Sequence, residues 1–152
     1  MVEAKKQYKS FRYRNDLVWK SGRRGAVSSL GKQELEVGSP PEFKGEPGIW
    51  CPEDMYVAAL NTCLMLTFLA FAERKGLGLT AYESSAEGLL EHADGRYRIT
   101  EVTVQASVVV NSDADLEAAR EIMGKVEENC FISNSITAKV KLQPQFRVEH
   151  AV

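Results

Sequence analysis

The sequence is short of the residues on which several protein classes depend. It has only three cysteines and two histidines among 152 residues, and 19 basic residues stand against 21 acidic ones. Three cysteines are too few for the disulfide framework of a small secreted protein. Two well-separated histidines do not form a metal-ligand cluster, and a general nucleic-acid binder carries a basic excess. We therefore expect no metal, no cofactor and no nucleic-acid partner.

The sequence also lacks an apolar signal core, because Met1–Lys6 leads into polar residues. With so few cysteines, this favours a cytosolic location. The run from Met55 to Ala72 has no formal charge and reaches the length of a membrane span. It is interrupted by several polar side chains, namely Asn61, Thr62, Cys63 and Thr67. We expect a buried central helix here, with no membrane partner.

The remaining pattern predicts an α+β architecture in a single domain over residues 1–152. The first 37 residues have the alternation and turn residues of β structure. We expect strands at 8–13, 17–19 and 33–37, with turns at 15–16 and 21–22. The proline- and glycine-rich segment 39–48 is typical of a loop.

A long helix is predicted from Pro52 to Lys75. Proline suits the first helical position, and Gly76 is a suitable stop. Nearly every side of the helix between Met55 and Ala72 is apolar, so it must be covered all round. One small sheet covers one side only, and we expect a partner chain on the rest, which predicts a homodimer.

The second half predicts a hairpin, a helix and further strands. Residues 79–110 fit two long strands around the turn at 92–95. Ser112 and Asp115 resemble a capping box, and an amphipathic helix follows. The chain then fits two strands, at 136–142 and 146–148, separated by a break at Pro144.

Two cysteines stand where chemistry is possible. Cys63 lies in the middle of the apolar helix, and Cys130 extends the inward face of the second helix. If the helices pack together, the two sulfurs approach each other, and such a pair can reduce a peroxide through a sulfenic acid and a disulfide. The alternative is that both are small core residues, since cysteine is often buried. Spacing alone leaves both interpretations open.

Three segments resemble the OsmC/Ohr family, the osmotically inducible protein C and organic hydroperoxide resistance proteins. The segments are Gly22-Arg23-Arg24-Gly25, the helix start from Pro52 to Cys63, and Glu128 to Asn134. The most specific feature is the Pro-Glu pair with a cysteine ten residues after the glutamate. The resemblance spans roughly residues 10–142. It implies an intertwined homodimer that reduces organic hydroperoxides with cysteine thiols.

Residue roles follow from the resemblance by position. Cys63 matches the peroxidatic cysteine and Cys130 the resolving one. Arg23 matches an arginine that favours the thiolate, and Glu53 matches a glutamate that orients this arginine. Arg24 is adjacent to Arg23 and is the alternative for the active-site arginine. An external dithiol is the implied reductant.

Two positions depart from the family pattern. Phe131 stands where many members have proline, and Cys51 precedes the Pro-Glu pair where a polar residue is common. Cys51 is either a helix-start bystander or an alternative resolving thiol. Apolar residues before the helix are candidates to line a substrate pocket: Phe43, Ile49 and Trp50. A second hypothesis from another class is a dimeric binding protein for hydrophobic ligands that performs no redox turnover.

Overall fold

The computed structural model describes residues 4–150, and the chain divides into two compact units between Pro52 and Glu53. In the first unit, β1 (Asp16–Ser21), β2 (Arg24–Ser28) and β3 (Leu35–Gly38) form an antiparallel sheet in the order β1-β2-β3. Gly22 adopts a φ of 51° in the turn between β1 and β2, a conformation that favours glycine. The conformation of Gly22 confirms the predicted turn at 21–22. β3 confirms the predicted strand at 33–37, although it begins two residues later and ends one residue later.

The prediction of a strand at 8–13 is wrong. This segment has no strand pairing within residues 4–150, and its side chains are exposed. The predicted turn at 15–16 is also wrong, because Asp16 begins β1 and pairs with Ser28. Alternation supplies the side-chain pattern of a strand, but a strand forms only where a neighbour takes its backbone hydrogen bonds.

In the second unit, a three-stranded sheet is the base on which both helices pack. It consists of β4 (Leu79–Ala93), β5 (Arg96–Val110) and β6 (Lys139–Val148), in the order β4-β5-β6. β4 and β5 form the predicted long hairpin, and both Asp94 and Gly95 have positive φ at its turn. β6 lies parallel to β5.

The predicted break at Pro144 is wrong, because β6 continues through it and Pro144 lies opposite Ala106. β6 is an edge strand of the described sheet. An edge tolerates proline where the missing N–H faces away from the sheet.

Helix α1 (Pro52–Lys75) begins and ends where the sequence predicts. It buries one row of residues spaced four apart: Leu60, Leu64, Phe68 and Ala72. Helix α2 (Asp113–Asn129) is capped by Ser112, whose hydroxyl accepts the Asp115 N–H at 3.1 Å. Both helices share a core with alternate residues of β5, namely Val102, Val104, Ala106, Val108 and Val110.

Helix α1 has the length and composition of a membrane span, and its most apolar 18-residue window has a mean hydropathy of 1.8. Only 22% of that window is buried in the chain. The core helix of an α+β protein meets the same criteria. On one side, α1 is such a core helix, because its row of buried residues packs on the sheet.

Candidate functional site

Cys63 lies in the middle of α1 and is half-buried. It directly precedes Leu64, a fully buried residue of the core row. Because successive helical residues point about 100° apart, the thiol lies at the border between the core and the exposed side of α1. A thiol at such a border is held by the core and remains open to a reactant.

Cys130 follows the last residue of α2 and is fully buried. It lies in the same core cluster as Val126, one helical turn earlier. Its N–H donates to the Glu127 carbonyl at 3.2 Å, and its carbonyl accepts the Asn134 N–H at 3.0 Å. These bonds fix the chain where it leaves α2 and place the thiol on the inward side.

The two thiols are reduced and form a hydrogen bond with each other. Burial raises the pKa of Cys63, but hydrogen bonds from Cys130 and from the Ile132 and Phe131 N–H groups outweigh burial and leave this pKa below its ordinary value. Burial and the bond to Cys63 raise the pKa of Cys130. As the pH rises, Cys63 therefore ionises first, while Cys130 keeps its proton.

The backbone after α2 supplies the donors that favour the Cys63 thiolate. This segment is braced by the Ser135 hydroxyl, which donates to the Phe131 carbonyl at 2.6 Å, and by Asn134 Nδ2, which donates to the Glu128 carbonyl at 3.1 Å. The Ser133 N–H donates to Cys130 Sγ at 3.5 Å. A turn held by these bonds keeps several N–H groups directed at the sulfurs without any arginine.

Thr67 is a further polar neighbour of Cys63, one turn along α1. Its Oγ1 donates to the Cys63 carbonyl at 2.7 Å. The hydroxyl also lies within reach of the Cys63 thiol. Because its only proton is in the short bond to the carbonyl, Thr67 does not donate to the thiol.

The two candidate arginines lie in the first unit and differ in their partners. Arg24 pairs with Glu36 and, at 3.4 Å, with Glu46. Arg23 forms no ion pair with residues 4–150, and its Nη1 donates to the Phe43 carbonyl at 2.8 Å. The remaining guanidinium donors of Arg23 are uncommitted within the described chain.

Glu53 stands in the first turn of α1, about 15 Å of helix before Cys63. Its Oε2 is shielded from solvent and has no hydrogen-bond partner among residues 4–150. A shielded carboxylate oxygen without a donor is costly. A hydrogen bond to this oxygen from a donor such as a guanidinium would remove that cost.

An open groove of about 380 Å³ lies beside Cys63 in the second unit. Its lining comes from α1 and from the end of α2: Cys63, Leu66, Thr67, Ala70, Phe71, Arg74, Asn129 and Phe131. The residues predicted to line a pocket, Phe43, Ile49 and Trp50, belong to the first unit. The groove was missed by sequence reasoning, although the helical spacing from Cys63 to Arg74 puts its α1 members on one side.

Within residues 4–150, no group of three or more histidine, cysteine, aspartate or glutamate side chains is placed to hold a metal ion. Two thiols in contact, with the pKa lowered for Cys63 and raised for Cys130, define a candidate dithiol redox site in this α+β unit.

Comparison with known proteins identifies the family. Residues 45–145 match the family model of OsmC-like proteins, and the chain belongs to this family. It is 29% identical over 133 residues to the uncharacterized protein YmaD of Bacillus subtilis, covering 84% of this chain and 89% of that protein.

Solved structures agree on the fold. An OsmC-like protein of unknown function from Vibrio cholerae superposes with a TM-score of 0.82 at 23% identity, covering 90% of this chain and all of that one. An organic hydroperoxide resistance protein from Elizabethkingia anophelis gives 0.70 at 19% identity, covering 93% of this chain and all of that one. At these identities the likeness shows the fold, and the α+β prediction is confirmed.

Proposed function

We propose that the protein is a cytosolic, homodimeric thiol peroxidase that reduces organic hydroperoxides to alcohols. The observation that carries the proposal is the contact between Cys63 and Cys130, with the pKa lowered for one thiol and raised for the other. A peroxide is attacked by a thiolate, and a protonated second thiol nearby can resolve the product. The family of the chain includes hydroperoxide resistance proteins.

The cycle begins at Cys63. Its thiolate attacks the distal peroxide oxygen, the O–O bond breaks, and the alkoxide takes a proton to leave as an alcohol. Cys63 is now a sulfenic acid. The Cys130 sulfur attacks the Cys63 sulfur, the S–S bond forms, and hydroxide leaves as water with the Cys130 proton. An external dithiol then reduces the disulfide and is itself oxidised, which restores both thiols.

Arg23 and Glu53 keep the roles that the family resemblance implies. Arg23 stabilises the thiolate and the developing alkoxide charge, because a guanidinium is always charged and donates several hydrogen bonds. Glu53 orients that guanidinium through a bidentate pair. The ion pairs of Arg24 with Glu36 and Glu46 support Arg23 as the active arginine.

Exposed apolar residues support the homodimer. β1 presents Leu17, Val18 and Trp19 to solvent, and Trp19 is 74% exposed. Because successive strand residues point to opposite faces, β1 is apolar and exposed on both faces, as at an interaction site. Size-exclusion chromatography with light scattering tests the assembly, and a monomeric mass at micromolar concentration would contradict it.

The apolar groove beside Cys63 favours one other function, the binding of a hydrophobic ligand without redox turnover. The two functions separate in a peroxide-consumption assay with cumene hydroperoxide and dihydrolipoamide. We expect turnover by the wild type, none by Cys63→Ser, and a rate close to wild type for Cys51→Ser as the matched control. Cumene hydroperoxide should be consumed faster than hydrogen peroxide. Full activity of Cys63→Ser would refute the proposal.

A further inference from the structure

A shielded hydroxyl without a partner lies beside the buried thiol of Cys130. Ser133 begins a short 3₁₀ turn (Ser133–Ser135), and its N–H donates to the Cys130 sulfur at 3.5 Å. Its Oγ is shielded from solvent and has no hydrogen-bond partner of normal geometry within residues 4–150. Such a hydroxyl costs free energy, because it has given up its bonds to water. A redox or catalytic role is one explanation for retaining it.

The Ser133 side chain faces the sulfur of Cys130. Both the hydroxyl and the N–H of Ser133 lower the pKa of this thiol, although burial and the bond to Cys63 outweigh them. While Cys130 is a thiol, its proton is in the bond to Cys63, and a neutral sulfur is a weak acceptor. The hydroxyl therefore has no good acceptor as long as the site is reduced.

The surroundings of Cys130 make the donors of Ser133 important. The thiol is fully buried, and the buried members of its core cluster are apolar. Cys63 on α1 is the titratable group in contact with it, while Glu127 and Glu128 at the end of α2 are exposed. A negative charge on a sulfur buried among apolar side chains is costly. In the part of the chain that the structure describes, the donors that favour this charge both belong to Ser133.

We propose that Ser133 is a catalytic residue of the second step, in which its hydroxyl donates to the Cys130 sulfur as negative charge develops there. In that step the S–S bond forms between Cys130 and the Cys63 sulfenic acid, the S–O bond breaks, and hydroxide leaves as water with the Cys130 proton. The Ser133 proton stays on its oxygen throughout. The inference rests on the proposed function, because the second step belongs to the peroxidase cycle.

The contribution of this hydroxyl is specific to the reacting state. A hydrogen bond to a charged sulfur is stronger than one to a neutral thiol. The hydroxyl therefore stabilises the transition state more than it stabilises the reduced protein. A faster second step shortens the lifetime of the Cys63 sulfenic acid. Because a second hydroperoxide oxidises a sulfenic acid to a sulfinic acid that the dithiol does not reduce, Ser133 also protects Cys63 against excess hydroperoxide.

Titration of Cys130 alone tests the hydroxyl without turnover. The sequence has three cysteines, so Cys130 is the one thiol left in a Cys51→Ser/Cys63→Ser protein. Its ionisation is followed by the ultraviolet absorbance of the thiolate. We expect Ser133→Ala to raise the pKa of Cys130, and Ser133→Thr, which keeps a hydroxyl, to leave it nearly unchanged. Ser135→Ala is the matched control, because it removes a hydroxyl that bonds to a backbone carbonyl in the same segment, and it should not raise this pKa.

Single-turnover kinetics tests the role in the cycle. The protein with all three cysteines reacts with one equivalent of cumene hydroperoxide, dimedone traps the sulfenic acid, and mass spectrometry measures disulfide and sulfinic acid. We expect Ser133→Ala to slow the second step relative to the first about tenfold at neutral pH, the effect of one hydrogen bond to a charged group. Excess hydroperoxide should then produce more sulfinic acid at Cys63. Raising the pH should restore part of the rate, because Cys130 then ionises without the hydroxyl.

An unchanged Cys130 titration in Ser133→Ala, or an equal rise in Ser135→Ala, would overturn the inference and leave the peroxidase. A shifted titration with an unchanged second step would overturn it as well. No sulfenic acid in any protein would overturn the peroxidase and its second step, and a shifted titration would then leave only the action of the hydroxyl on the Cys130 sulfur. Urea unfolding checks that Ser133→Ala is folded. If it is not, Ser133→Thr and Ser133→Val, which have the same shape, provide the comparison.

Discussion

Oxidation of the two thiols should stabilise the fold by an amount set by their separation in sequence. Cys63 and Cys130 are in hydrogen-bond contact while reduced, so a disulfide can form with little movement of the backbone. The bond would close a loop of roughly 67 residues, which in the chain-entropy treatment removes about 4 kcal/mol of freedom from the unfolded state. With a urea dependence of about 2 kcal/mol/M, the unfolding midpoint should rise by about 2 M.

The assay is urea unfolding of reduced and peroxide-oxidised protein at one protein concentration, followed by circular dichroism. Cys130→Ser, treated with peroxide in the same way, is the matched control and should show no comparable rise. A mapped Cys63–Cys130 disulfide that leaves the midpoint unchanged or lowers it would refute the reasoning. It would mean that the bond distorts the native site.

Three further predictions concern the same unit. Burial raises the pKa of Cys63, but its hydrogen bonds lower this pKa by more than burial raises it. Alkylation of Cys63 by iodoacetamide should therefore reach half its maximal rate below the usual pH of about 8.5. Cys130→Ala should move that midpoint upward, and an unchanged midpoint would contradict the thiol–thiol bond. Ser112→Ala should lower the free energy of unfolding by about 1 kcal/mol through loss of the α2 cap, measured in urea, and no change would contradict that cap. Leu64→Ala should lower it by roughly 2–5 kcal/mol, because Leu64 is fully buried beside Cys63, and a cost below 1 kcal/mol would contradict the packing.

Local chemistry made much of the fold predictable. The ends of α1 follow from Pro52 and Gly76, and the hairpin turn follows from Asp94 and Gly95. Prediction was wrong where the outcome depended on a neighbouring strand. Residues 8–13 alternate without pairing within the described chain, and Pro144 continues a strand because that strand is at the edge of its sheet.

The candidate site was predictable only in part. Cys63 could be singled out because it lies in the middle of an apolar helix, and Cys130 because it extends the inward face of an amphipathic one; the two are in contact. The N–H groups of Phe131 and Ile132 could not be found, because their direction depends on how the chain turns after α2. The groove could not be found for the same reason, since α2 has to end beside α1 to form it. Arg74 is visible in the sequence only as a basic residue at a helix end.

Disulfide mapping tests the central claim most directly. Reduced protein is treated with one equivalent of cumene hydroperoxide or of hydrogen peroxide, its thiols are counted, and its disulfides are located by mass spectrometry. We predict the loss of two thiols per chain, linked as Cys63–Cys130, and a faster loss with the organic peroxide. Three unreacted thiols in a folded protein would contradict the account and favour the ligand-binding function.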